Sequence, residues 1–233
     1  MWLRLSSTIF AVVLSLFAIW IAVAELVRPQ LAFFPTASGA SDIMTRRASA
    51  ARAAAIGSVR GDLWVDAAIT RASGLFAEVS AGPNTEDLQM VEGAHAAARG
   101  AAMLSPHDSR AWLLLAASRA RLEALRGHIA GPLKMSYLTG PNAAELMAVR
   151  LPLAVGSEAI ADEELQLLVQ GEITAIVTRR PGLKPVIAAA YRRAVPEGKR
   201  VIEQALGMLD PSLTDALRSS DEPKGRTPLD PAR

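Results

Sequence analysis

Residues 5–24 read LSSTIFAVVLSLFAIWIAVA, twenty positions without one charged side chain. At about 1.5 Å of rise per residue, such a run makes a helix roughly 30 Å long, enough to cross the hydrocarbon layer of a bilayer. Residues 1–28 are therefore expected to form a transmembrane anchor. Trp2 and Trp20 lie near its two ends, where interfacial aromatics belong. Ala22-Val23-Ala24 also fits the small-x-small pattern that precedes a signal-peptidase cut, and cleavage there would release a secreted protein starting at Glu25. The length of the apolar run and its continuation through Leu26 and Val27 favour the retained anchor.

Arg4 and the amino terminus should keep the short leader in the cytoplasm, which exports the rest of the chain. Arg28, Arg46, Arg47 and Arg52 argue for the inverse, but from Arg46 onward the charges sit at or past the range where the positive-inside rule acts strongly. Ala11, Ser15, Ala18 and Ala22 fall at i, i+4, i+7 and i+11, so one face of the anchor carries small residues on which another membrane helix could pack closely. Abundant alanine gives the same pattern without a partner.

Beyond the anchor, a linker is expected at 29–41, with Pro29, Pro35 and Gly39 around Leu31, Phe33 and Phe34. About 190 residues then remain apart from the polar tail, sufficient for one helical domain with its own core. That domain is expected over 42–218, and the charged, proline-rich stretch 219–233 is expected to be disordered. Alanine dominates and β-branched runs are few, so helix is the default. There is no cysteine, which excludes disulfides, thiolate metal sites and cysteine nucleophiles. A formal net charge of +2 does not imply nucleic-acid binding.

Local signals divide the domain into short helices. Asp62 reads as the N-cap of a helix reaching about Glu78, and Gly82-Pro83-Asn84 breaks the chain before a helix that runs to about Leu104. Ser105-Pro106-His107-Asp108 supplies an N-cap serine and a proline at the first helical position. Trp112, Leu115, Ala116, Arg119 and Leu122 recur at helical spacing, so Trp112 should face a core. Gly131-Pro132 starts the next helix, Gly140-Pro141-Asn142 ends it, and another covers roughly 143–151 with Pro152 as its limit. Leu165, Leu168, Val169, Glu172, Ile173, Ile176 and Val177 define a buried stripe. Asp162, Glu163 and Glu164 lie at its start, and Arg179 and Arg180 at its end, matching the helix dipole. Pro185, Pro196 and Pro211 each suit a first helical turn. Core packing is assigned to Trp64, Trp112, Leu115, Tyr137, Leu168, Ile173 and Tyr191.

Pro106 and Pro141 are 35 residues apart, near the 34-residue tetratricopeptide period. Over residues 94–142 the chain resembles a degenerate tetratricopeptide repeat. Trp112 stands at the aromatic position of the first helix with Leu115 three residues later, and Ala101, Ala116 and Ser136 take the small positions. Arg119, Ala98 and Leu133 depart from the pattern. With Arg60-Gly61-Asp62-Leu63-Trp64 and Lys134-Met135-Ser136-Tyr137, the whole chain also resembles a group of bacterial envelope proteins that join one anchor to such repeats. This resemblance implies an all-α fold, an inner-membrane location with a periplasmic domain, and an association with polysaccharide export. Stacked helix pairs of this kind build a curved surface that binds peptides or helices.

Catalytic chemistry is not expected. Glu92 and His95 form a Glu-x-x-His pair, half of a di-iron motif, but no second pair exists and no metal or cofactor is assigned. His107 sits in a first helical turn and His128 beside Gly127 at a helix end, where the dipole favours it. No glycine-rich phosphate loop is present, and Arg60-Gly61-Asp62 reads as a helix start rather than an adhesion loop. The charge pattern is more informative. Between positions 179 and 200 stand Arg179, Arg180, Lys184, Arg192, Arg193, Lys199 and Arg200 against Glu197 alone, following a stretch dominated by Glu145, Glu158, Asp162, Glu163, Glu164 and Glu172. Such a basic segment could meet an acidic partner, lipid headgroups or an anionic polysaccharide, although dipole matching and solubility account for much of it.

The function read from the chain is thus a membrane-anchored periplasmic scaffold or adaptor that binds a protein through the helices between 62 and 151, with the basic segment as a second surface. A cleaved, secreted binder of anionic polymer and a helical enzyme lacking a recognisable motif are the alternatives.

Overall fold

Alanine carries the smallest helical penalty of any residue, and in this alanine-rich chain 86% of the described residues are helical and none is in a strand. The computed structural model describes residues 2–29, 40–72, 85–122 and 127–221. The helices are α1 (Trp2–Val27), α2 (Ala40–Ile56), α3 (Gly61–Arg71), α4 (Thr85–Leu104), α5 (Ser109–Arg121), α6 (Ala130–Thr139), α7 (Ala144–Val155), α8 (Glu163–Arg179), α9 (Lys184–Arg193), α10 (Pro196–Gly207) and α11 (Pro211–Asp221). They fall into two units, Met1–Glu145 and Leu146–Arg233. The expected linker core at 30–39, the break at Gly82-Pro83-Asn84 and the tail beyond 221 lie outside the described residues.

In the first unit, consecutive helices from α1 to α6 pack on one another. The core is built from small side chains: Ala50, Ala53 and Ala54 on α2, Ala94, Ala97, Ala98 and Ala101 on α4, and Ala111 and Ala116 on α5 are all buried. Small residues let helix axes approach closely. The apolar weight comes from fully buried Leu63, Leu113, Leu114 and Leu133, each of which stabilises by about 1.5–3 kcal/mol. Helix ends meet tightly as well. A Cβ on Gly61 would overlap Ser105 Oγ and lie 2.7 Å from both the carbonyl carbon and oxygen of Leu104. The start of α3 therefore lies against the end of α4. Ser136 Oγ donates to the Ser109 carbonyl at 3.0 Å, which sets the last turns of α6 beside the start of α5.

Several boundaries differ from the sequence expectation: α2 starts at Ala40, inside the expected linker, and α11 runs to Asp221, into the expected tail, because each helix continues past the composition change. Asp62 does not cap α3, whose N-cap position is held by Arg60 with no side-chain capping bond, because Asp62 lies inside the first turn and its carboxylate is engaged by arginines. Asp108 rather than Ser105 caps α5, accepting from Arg110 N at 2.9 Å. Pro152 does not end α7, which continues to Val155 because Leu151, Ala154 and Val155 are all buried and hold that turn in place. Trp64, Trp112 and Leu168 are half-buried, whereas Leu115, Tyr137, Ile173 and Tyr191 are core residues.

In the second unit, α8 starts as its charges suggest: Asp162 caps it by accepting from Leu165 N at 3.0 Å. Its buried face is Leu165, Val169, Glu172, Ile173 and Ile176. Glu172 is paired with Arg150 of α7, Arg150 Nη2 lying 2.6 Å from Glu172 Oε1 with both side chains excluded from water. Pro185, Pro196 and Pro211 all occupy first helical turns. Lys184 reaches Asp210 at 2.7 Å, joining the start of α9 to the residue that caps α11 through Leu213 N. The Lys184 bond, followed by the Ser212 and Leu213 bonds, lowers the Asp210 pKa from 3.8 to about 2. A carboxyl with a depressed folded pKa contributes stability above its unfolded value and loses it as pH falls through the folded one. The stability difference between the parent and Asp210→Asn is thus expected to be constant at neutral pH and to vanish between pH 3.8 and about 2, as followed by thermal unfolding.

Candidate functional site

The most densely built polar site among the described residues lies where α1 meets α2 and α3. Over most of its length α1 exposes apolar side chains all round, including Phe10, Leu14, Phe17 and Ile19, and its span Leu5–Val27 is long and apolar enough to cross a membrane. Its last two turns behave differently. Ala24 is completely buried among Ala50, Ala53, Ala54, Leu63 and Ala67, with Val27, Ile56 and Trp64 around this cluster. Trp20 donates its indole N–H to the Ile56 carbonyl at 2.7 Å, satisfying a backbone acceptor at the end of α2. The apolar helix is thus packed into the first unit rather than tethered to it.

A charged lattice closes the junction. Arg28 bonds Asp66 through Nε at 2.6 Å and reaches Asp62 and Glu25 through Nη1, each at 3.2 Å. Arg60 bridges Glu25 at 3.0 Å and Asp62 at 2.7 Å. Asp66 is 4% exposed, and burial pushes its carboxyl above the usual range against the opposing pull of Arg28. Burial acts the same way on Asp62, but the bond from Arg60 and the charges of Arg60 and Arg28 outweigh it and hold that carboxyl below the usual range. The lattice spans α1, the turn before α3, and α3 itself, so it fixes the direction in which the apolar helix leaves the domain.

Arg28→Met is expected to strand the buried Asp66 carboxylate and destabilise the first unit by about 2–3 kcal/mol at pH 7, below the full cost of breaking a wholly buried pair because Arg28 is partly exposed. The raised Asp66 pKa sets the sign of the pH effect. Protonation of Asp66 favours the folded state, so the loss should shrink as pH falls through that raised value. Unfolding of the detergent-solubilised variant and parent across pH 7 to about 4 checks this.

The residues singled out from sequence are distributed elsewhere. Arg179, Arg180, Arg192, Arg193 and Arg200 are exposed. Lys184 is paired with Asp210, Arg200 with Glu197, and Lys199 lies over the Tyr191 ring, 5.3 Å from its centroid. From Lys184 to Arg192, α9 rises by about 12 Å, so the seven cations form two groups at the ends of α9. The acidic stretch that precedes them loses Glu172 to the core pair with Arg150. On α1, Ser15 Oγ bonds the Ala11 carbonyl at 2.9 Å within its own helix, while Ala18 and Ala22 line a shallow open groove with Ile21, Glu25 and Leu26.

His95 Nδ1 lies 3.2 Å from Ser118 Oγ, and burial, with the charges of Arg119 and Arg99, lowers its pKa. No cluster of three metal-binding side chains occurs among the described residues. His107 and His128 are exposed. His128 precedes α6 in a 3-10 turn instead of ending a helix, and its carbonyl accepts from Arg119 at 2.9 Å.

Sequence reading passed over the junction, although a signal was present. Asp62 and Asp66 are four apart on α3, a like-charge spacing that destabilises a helix unless cations lie across it. Comparison with protein-family models, curated proteins and solved structures gives no match.

Proposed function

We propose that this protein is a single-pass membrane scaffold or adaptor whose anchor remains attached, with its N-terminus in the cytoplasm and its helical units in the periplasm. In this reading α3 to α6 form a tetratricopeptide-like array that binds a protein partner, and the system served is envelope polysaccharide assembly or export. The observation that carries the proposal is the docked end of α1, with Ala24 buried and Trp20 bonded to Ile56. An anchor built into the core holds a binding surface at a fixed place on a membrane, which suits an adaptor. Full burial of Ala101, Ala116 and Ser136 between antiparallel helices supports the repeat-like reading. The same junction weighs against a secreted form, since a cut after Ala24 would remove Trp20 from Ile56 and open the core around Ala53 and Leu63.

Affinity capture of the full-length protein from membranes tests the reading. A protein partner should be recovered in fixed stoichiometry and lost on replacing the exposed residues of the α3–α6 array, with a C-terminal phosphatase fusion active outside the cytoplasm. Recovery of bound polymer without protein, or an inactive fusion, would contradict it.

A further inference from the structure

Three of the four tryptophans occupy one end of the first unit. Trp20 donates to the Ile56 carbonyl at 2.7 Å, Trp64 to Ser58 at 3.1 Å and Trp112 to Pro106 at 2.7 Å. Each indole therefore caps a turn at the end from which α1 departs. The turns belong together: Gly61 abuts Leu104 and Ser105, and a Cβ on Gly140 would lie 2.6 Å from that of Ser109. The turns 57–60, 104–108 and 140–143 thus share this end, and Leu122 lies at the opposite end of α5, with His128 bonded to Arg119 near it. Apolar side chains at this end are uncovered, with Val59 70%, Met103 74%, Leu104 43% and Leu138 56% exposed. The charged groups among them are paired, Arg60 with Glu25 and Asp62, and Arg110 with Asp108, which lessens the cost of drying them.

Depth fixes what this end faces. Trp20 precedes the end of the apolar span at Val27 by seven residues, about 10 Å of helix rise. A helix end bonded to Trp20, and the 57–60 turn that follows it directly, cannot stand clear of a bilayer that this span crosses. We propose that the α1-proximal end of the first unit is a membrane-contacting surface, in which the 57–60 turn enters the headgroup layer at Val59, with Leu104 and Leu138 beside it and Trp20, Trp64 and Trp112 as interfacial aromatics. The proposal rests on α1 spanning the bilayer. Its consequence is that the helix array stands on the membrane by its end, leaving its sides free.

The chain has no cysteine, so single-cysteine variants can be labelled directly. Full-length Val59→Cys, Leu104→Cys and Leu138→Cys, each carrying an environment-sensitive fluorophore, are placed in phosphatidylethanolamine/phosphatidylglycerol vesicles containing nitroxide lipids. Phe17→Cys reports the span and His128→Cys the opposite end. Quenching at positions 59, 104 and 138 is expected to reach about half or more of that at 17, with none at 128. Quenching at 17 alone would overturn the proposal and leave the anchor standing, and absence of quenching at 17 would overturn both. Fluorophore self-quenching at 59, 104 or 138 without nitroxide quenching would place a second copy on this end and overturn the proposal too.

Discussion

Arg150→Ala is expected to destabilise the second unit by about 3–5 kcal/mol, because it leaves the Glu172 carboxylate charged, dry and without its cation. Both side chains of the pair are buried, and two Arg150 nitrogens, Nε at 3.1 Å and Nη2 at 2.6 Å, converge on the same oxygen of Glu172. Removing one partner exposes the full desolvation penalty of the other, whereas removing both gives up attraction and penalty together. Arg150→Met combined with Glu172→Leu should therefore cost clearly less than either single substitution. Thermal and denaturant unfolding of the double variant and its two single counterparts checks the ordering; equal losses in all three would assign the effect to packing volume instead of charge.

Gly61→Val should cost about 3 kcal/mol in the first unit, at the upper end of what overpacking usually does. The atoms in the way are the main chain of Leu104, whose carbonyl carbon and oxygen both lie 2.7 Å from the Cβ position, together with Ser105 Oγ. A side chain can rotate aside, but a helix end cannot, so α3 and α4 must separate where the Arg60, Asp62 and Asp66 lattice begins. The expected result is a lowered unfolding temperature and faster proteolysis, with Gly93→Ala as a control because nothing lies within 4 Å of its Cβ position.

Much of the architecture was legible in the sequence for local reasons. Pro185, Pro196 and Pro211 start helices because proline's fixed φ suits a first turn and no hydrogen bond is lost there. The run 5–24 reads as one helix because composition and length alone decide it. What escaped was set by distant partners. Asp62 had the local credentials of an N-cap, but arginines 2 and 34 residues away claim its carboxylate. Pro152 had those of a helix stop, and tertiary burial of its neighbours carried the helix past it. Glu172 stood on the buried stripe and also in a row of acids, and what the sequence did not disclose was its buried cation, Arg150, 22 residues away. The basic segment likewise looked continuous in one dimension, while α9 divides it into two groups.

The anchor junction was the largest omission. Periodicity marked α1 as apolar on every side and so gave no hint that Ala24 would be enclosed by α2 and α3. Small residues at 50, 53, 54 and 67 make that enclosure possible, and in sequence they look like ordinary helix formers. The helix long and apolar enough to cross a membrane and the core of the first unit therefore meet in the same few residues.

The claim that the anchor is an integral part of the folded protein is tested most directly by the intact mass of the full-length protein extracted from membranes. A chain that still contains residues 5–24 is the result predicted here, and a mature chain beginning at Glu25 would contradict it.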